Sequence, residues 1–94
     1  MIISGKIVKK RTYFDHEDVN INCIAFLELE RGIVVNGDRL KIIPILSQES
    51  MVPQMVGESI EIDGDIVFKK IVTAFGSVST SPIPTLINRH NRTG

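Results

Sequence analysis

Lys9-Lys10-Arg11, with Tyr13-Phe14 just beyond, is the stretch of this 94-residue chain whose residue types best suit chemistry. Three cations beside two aromatic rings match a single nucleic-acid strand, whose phosphates take the charges and whose bases stack on the rings. The alternative is a solvated strand end whose rings plug the bottom of a barrel. Phe26 falls among Asn20, Asn22 and Glu28 on the polar side of an alternating stretch. There it either stacks a base or packs in a subunit interface, where aromatic residues are enriched. Arg39 with Lys41, and Lys69 with Lys70, either line a groove or pair across strands with Glu28, Glu30, Glu58, Glu61, Asp63 and Asp65. The candidate nucleic-acid-binding set is therefore Lys9, Lys10, Arg11, Tyr13, Phe14, Phe26, Arg39, Lys41, Lys69 and Lys70.

Other chemistries find less support. Asp15-His16-Glu17-Asp18 has metal-ligand types, but its spacing fits neither an EF-hand loop nor a zinc motif. Asp63-Gly64-Asp65 reads as a turn. Cys23, the single cysteine, falls mid-strand on the apolar side, where a thiol serves as a small hydrophobe. His16 and His90 stand far apart, and no Ser-His-Asp arrangement or phosphate-binding glycine loop appears. No catalysis, metal or cofactor is expected.

The elements that must position these residues read as strands. Isoleucine and valine abound and alanine occurs only at Ala25 and Ala74, a balance that disfavours helix. Residues 2–10 form a first strand with Ile3, Gly5 and Ile7 on one face and Lys6, Val8 and Lys10 on the other. Gly5 marks a bulge or a close backbone approach. Residues 19–30 alternate, Ile21, Cys23, Ala25, Leu27 and Leu29 on one face against Asn20, Asn22, Ile24, Phe26, Glu28 and Glu30 on the other. Asn36-Gly37 supplies the two positive φ values of a tight hairpin leading to 38–43. Arg31-Gly32 suggests a bulge, and Pro44 an edge or a strand end. Residues 47–57 hold either one short helix or a loop pinned by Met51, Val52, Met55 and Val56. Residues 58–62 and 65–75 read as further strands, with Asp63-Gly64 either a hairpin or a glycine kink in one long strand. Phe68 and Phe75 are expected in the core. Five strands around a short helix or loop match the small Greek-key barrel of the OB type, an all-β fold over residues 1–78. Residues 79–94, rich in proline, serine and asparagine, read as a polar tail, because Pro82 and Pro84 oppose a central strand.

Ile3-Ser4-Gly5-Lys6-Ile7-Val8 resembles the opening strand of the bacterial single-stranded-DNA-binding and primosomal replication protein B-like family. Val56 to Ile66, with Gly57 and Gly64 bracketing alternating apolar residues, is similar to that family's fourth strand, and Asn22 to Glu30 would be its second. The resemblance spans residues 2–70. It implies an OB barrel that binds single-stranded DNA across strands two and three and their flanking loops. The family's long loop between its last two strands is missing or very short here. Tryptophan is absent, and the C-terminus is Asn88-Arg89-His90-Asn91-Arg92-Thr93-Gly94 in place of an acidic tail.

Eleven basic and eleven acidic residues cancel, so a general basic excess does not argue for nucleic acid; a basic face would have to be offset elsewhere. No apolar run reaches the roughly 18 residues of a membrane-spanning helix. A lone cysteine and no secretory leader suggest the cytoplasm. The expectation is a non-catalytic binder of single-stranded nucleic acid, DNA more than RNA, used in replication or repair as a homodimer or within a larger complex. The alternative is a protein-interaction or assembly subunit, a small viral or accessory barrel without nucleic-acid affinity, which uses exposed Ile24 and Phe26.

Overall fold

Alternating β-branched residues make long strands, and glycines and bulges let those strands coil far enough to meet. The computed structural model describes residues 1–13, 19–71 and 81–91, the last three by backbone alone. Among the described residues there are five strands: β1 (Ile2–Thr12), β2 (Cys23–Val35), β3 (Asp38–Ser47), β4 (Ser59–Lys69) and β5 (Ile83–Asn91). They close in the order β1-β2-β3-β5-β4, with β4 returning to β1. Only β3 and β5 run parallel. This is an all-β, OB-like Greek-key barrel.

The sharp bends fall where the sequence allows close approach. A methyl group at Gly5 would collide with the Glu28 carbonyl oxygen, so β1 and β2 touch there. The bulge of β1 lies at Val8, not Gly5: Ile7 pairs with Leu27 and Lys9 with Phe26. That extra residue flips the alternation, so Lys10 pairs with Ala25 and shares the face of Ile7 instead of the face of Val8. Asn36 (φ 50°) and Gly37 (φ 85°) form the two-residue turn closed by Val35 and Asp38. Gly64 kinks a single β4 strand, and a methyl group there would strike the Ile87 carbonyl oxygen.

Two expectations are corrected. The fifth strand is not 65–75: β4 absorbs residues 59–69, and Ile83–Asn91, within the expected tail, supplies β5. Pro84 is tolerated because β5 pairs with β4 from Ile83 onward, while its registered pairs with β3 are Leu86 and Ile87 alone. Hence β4 and β5 are joined by residues 70–82, and a long connection between the last two strands is present after all. Pro44 lies inside β3, which runs on to Ser47; only β2 is in register there, so the proline occupies an open edge, one of its two expected places.

The β3–β4 connection carries one 3-10 turn, Glu49–Met51, and is otherwise irregular. Val52 pins it in the core, whereas Met55 and Val56 are exposed. Two apolar layers result. The barrel interior holds Ile3, Ile7, Leu27, Leu29, Ile43, Ile45, Val52, Ile60, Ile62 and Leu86. A second cluster, Ile21, Ile24, Phe26, Leu46 and Ile71, lies on the other face of β2 and β3, with Tyr13, Ile83 and Ile87 against it. Phe68 is half exposed, contrary to its expected core place. Phe75 lies outside the described residues.

Candidate nucleic-acid interface

The basic candidates divide into separate groups. Lys9, Lys10 and Arg11 follow the β1 bulge and pair with Phe26, Ala25 and Ile24. The flipped alternation aims Lys10 into the mouth of the barrel, where its ammonium donates to the carbonyls of Val52 and Gln54. Lys10 is thus spent on anchoring the β3–β4 connection. It also lines, with Arg11, Thr12, Cys23, Glu49, Met55 and Val56, a cleft of about 400 Å³. Burial pushes the Cys23 thiol above its ordinary pKa; nearby Lys10 lowers it and Glu49 raises it further. A buried thiol held protonated is inert.

Of the two aromatic candidates among the described residues, neither stands as an open ring. Phe26 is 6% exposed, enclosed by the second cluster, and serves neither base stacking nor a subunit interface. Ile24 is fully buried in the same layer. Tyr13 is half-buried against that layer, and its backbone N–H donates to Asn22. Phe14 and the Asp15-His16-Glu17-Asp18 run lie outside the described residues. The middle of the β2–β3 outer face, where the resemblance puts a binding surface, is therefore covered by apolar side chains.

The open basic ground lies farther along the same two strands. Arg39 pairs with Val34, nine positions along β2 from the Ala25 that faces Lys10, roughly 30 Å of strand length. Beyond Leu29, β2 has no registered partner in β1, so residues 30–41 form a two-stranded ribbon. The register of β2 against β3 slips between Glu28 and Ile33, and this bulge brings Arg31 beside Arg39 and Lys41. These three cations and Gly32 line a cleft of about 490 Å³ with no carboxylate in its wall. Among the described residues none of the three forms an ion pair or side-chain hydrogen bond. The Arg39 side chain runs close over Gly32, where a methyl group would stand 3.2 Å from it. Sequence reasoning flagged Arg31-Gly32 as a bulge and missed Arg31 as a site residue; the signal was a cation next to a glycine, one turn away from Arg39.

Lys69 and Lys70 lie at the far end of β4, where it enters the β4–β5 connection; Lys69 is half-buried opposite Ile83 and Lys70 is exposed. Among the described residues no three histidine, cysteine or carboxylate groups are placed to hold a metal ion. No helix among them is long and apolar enough to cross a membrane. No family model, curated protein or solved structure matches the chain.

Proposed function

We propose that this barrel binds single-stranded nucleic acid, without catalysis, through the β2–β3 ribbon. The observation that carries this reading is the cleft of Arg31, Arg39 and Lys41 around Gly32, three cations unpaired among the described residues, with no acidic residue lining it. Guanidinium groups fit phosphate oxygens in pairs, and a glycine at the centre lets a sugar–phosphate backbone come close. Phosphate contact is the main source of affinity for a single strand, and OB barrels use this side of the molecule. The protein would serve where single strands are exposed, as in replication or repair.

The test is fluorescence anisotropy of a labelled oligothymidylate at low and moderate salt. Three phosphate contacts predict a logarithmic salt slope of about −2, from about −0.7 per contact on a single strand. The double variant Arg31→Glu/Arg39→Glu should lose this binding while keeping its β-sheet circular dichroism. A flat titration by folded wild-type protein would overturn the reading. One observation favours an assembly subunit instead: Val34 is exposed on the same ribbon and Ile42 at its base, at 66% and 50%. That reading predicts a concentration-dependent oligomer by sedimentation equilibrium and no oligonucleotide affinity.

A further inference from the structure

The β2–β3 ribbon leaves the barrel with two open edges. Residues 32–35 of β2 have β3 as their one registered partner among the described residues. Residues 38–43 of β3 likewise face β2 alone, since the registered pairs of β3 with β5 are Ile45 and Leu46. An open edge is a template for another strand. The two edges differ in charge. When two copies of one strand pair antiparallel about a two-fold axis, the axis passes between identical residues, so odd positions meet odd ones. On β3, every register centred on Arg39, Leu40 or Lys41 therefore sets one of these exposed cations against another, which is destabilising. On β2 no charge stands between Arg31 and Asp38. Its edge reads Gly32-Ile33-Val34-Val35-Asn36, three β-branched residues flanked by glycine and asparagine, and so complements its own reverse.

We propose that two copies of this chain join through the open edges of β2, with Val34 opposite Val34, and that the joined ribbons form one surface for a nucleic-acid strand; the second part rests on the reading above. In this register Ile33 of each copy faces Val35 of the other, and Gly32 faces Asn36. Opposed β-branched side chains suit an antiparallel ladder, and no like charges meet. A cleft of about 350 Å³ parts residues 31–33 from Ile2, Ile3 and Ser4 of β1, so β1 does not stand against the edge where the second copy's turn arrives. A two-fold axis perpendicular to the sheet keeps both ribbons the same way up. Val34 and Arg39 are registered partners and share a face. Across the four strands that face therefore reads Arg39, Val34, Val34, Arg39. The two arginines stand three strand spacings, about 14 Å, apart. This exceeds the screening length of about 10 Å at 0.1 M salt, so their repulsion is slight. One nucleic-acid strand can bridge that span, and the two clefts of Arg31, Arg39 and Lys41 then offer it six cations. Three residues a side make a short ladder, so free protein pairs weakly and a bridging strand tightens the pair.

The experiment places cysteine at Val34 and, in a parallel variant, at Asp38. Directly opposed residues of an antiparallel pair have Cα atoms about 4.5–5.5 Å apart, within a disulfide's reach. Cys23 is buried and stays out of the reaction. In a glutathione redox buffer Val34→Cys should yield a linked dimer with unchanged β-sheet circular dichroism, and Asp38→Cys should not. The linked dimer should bind a labelled 20-mer of oligo-dT at least tenfold more tightly than its reduced form, because the second cleft then engages intramolecularly. No linking at Val34, or equal linking at both positions, overturns the dimer and leaves binding by single clefts standing. A linked dimer that binds no tighter than reduced protein overturns the joined surface. A linked dimer with no affinity for the 20-mer in either form overturns the nucleic-acid reading as well.

Discussion

Salt acts differently on a cation that meets a phosphate and on one that holds its own protein together. A phosphate contact releases a counterion, so its loss lowers the salt slope as well as the affinity. An internal contact is insulated from that exchange. Arg39, exposed on the ribbon and without a partner among the described residues, belongs to the first kind. Lys10, donating to the carbonyls of Val52 and Gln54, belongs to the second. Arg39→Ala should therefore flatten the salt slope of oligonucleotide binding by about 0.7 and leave the unfolding midpoint in place. Lys10→Met should leave the slope unchanged and cost about 1.5–3 kcal/mol of stability in urea titrations, the worth of hydrogen bonds made by a charged donor. The reverse pattern would return the interface to β1. The two lysine-and-arginine stretches look alike in sequence because side-chain type records neither the bulge at Val8 nor the loop that Lys10 reaches.

A barrel needs its last strand, and here that strand comes from a segment with two prolines. β5 carries Leu86 into the barrel interior and Ile87 onto the outer cluster, and it closes the gap between β3 and β4. Without it β3 and β4 would both present bare edges. A chain ending at Thr80 should therefore lose cooperative unfolding and bind a hydrophobic dye; a truncated protein that melts like the full chain would make residues 81–94 an appendage. Gly64→Ala probes the same junction more gently, since the added methyl group meets the Ile87 carbonyl oxygen and should cost about 3 kcal/mol. What local chemistry decides was legible from the sequence: the turn at Asn36-Gly37 and the alternation within β2, with Gly64 and Gly5 each narrowed to two alternatives, of which the kink and the close approach are the ones present. β5 was not, because Pro82 and Pro84 speak only for their own backbone. Whether a proline is harmful depends on which neighbour is in register, and that neighbour, Phe68 opposite Pro84, is supplied by the rest of the fold.

The molecule as a whole is two apolar layers sharing the same strands. β2 contributes Leu27 and Leu29 to the interior and Ile24 and Phe26 to the outer cluster; β3 contributes Ile43 and Ile45 to one and Leu46 to the other. Alternation in the sequence assigned Phe26 and Ile24 correctly to the second face. It put Ile21 on the opposite face, but Ile21 precedes β2 and escapes the strand's alternation; together with Tyr13 and Ile71, which are more distant along the chain, it covers the outer face, so a buried ring read as a stacking surface. The shared strands have a thermodynamic consequence. Neither layer can come apart while β2 and β3 stay paired and packed on the other, so both should be lost in one transition. Tyr13 is the only tyrosine of the chain and there is no tryptophan, so intrinsic fluorescence reports the outer cluster, while far-ultraviolet circular dichroism reports the sheet. The two signals should give the same urea midpoint. Phe26→Ala should shift both together by about 3–5 kcal/mol, a large part of the 5–15 kcal/mol that holds a domain of this size. A fluorescence change that precedes the loss of strand signal would mean that the outer cluster opens on its own, and the centre of the β2–β3 face would then become available to a ligand after all.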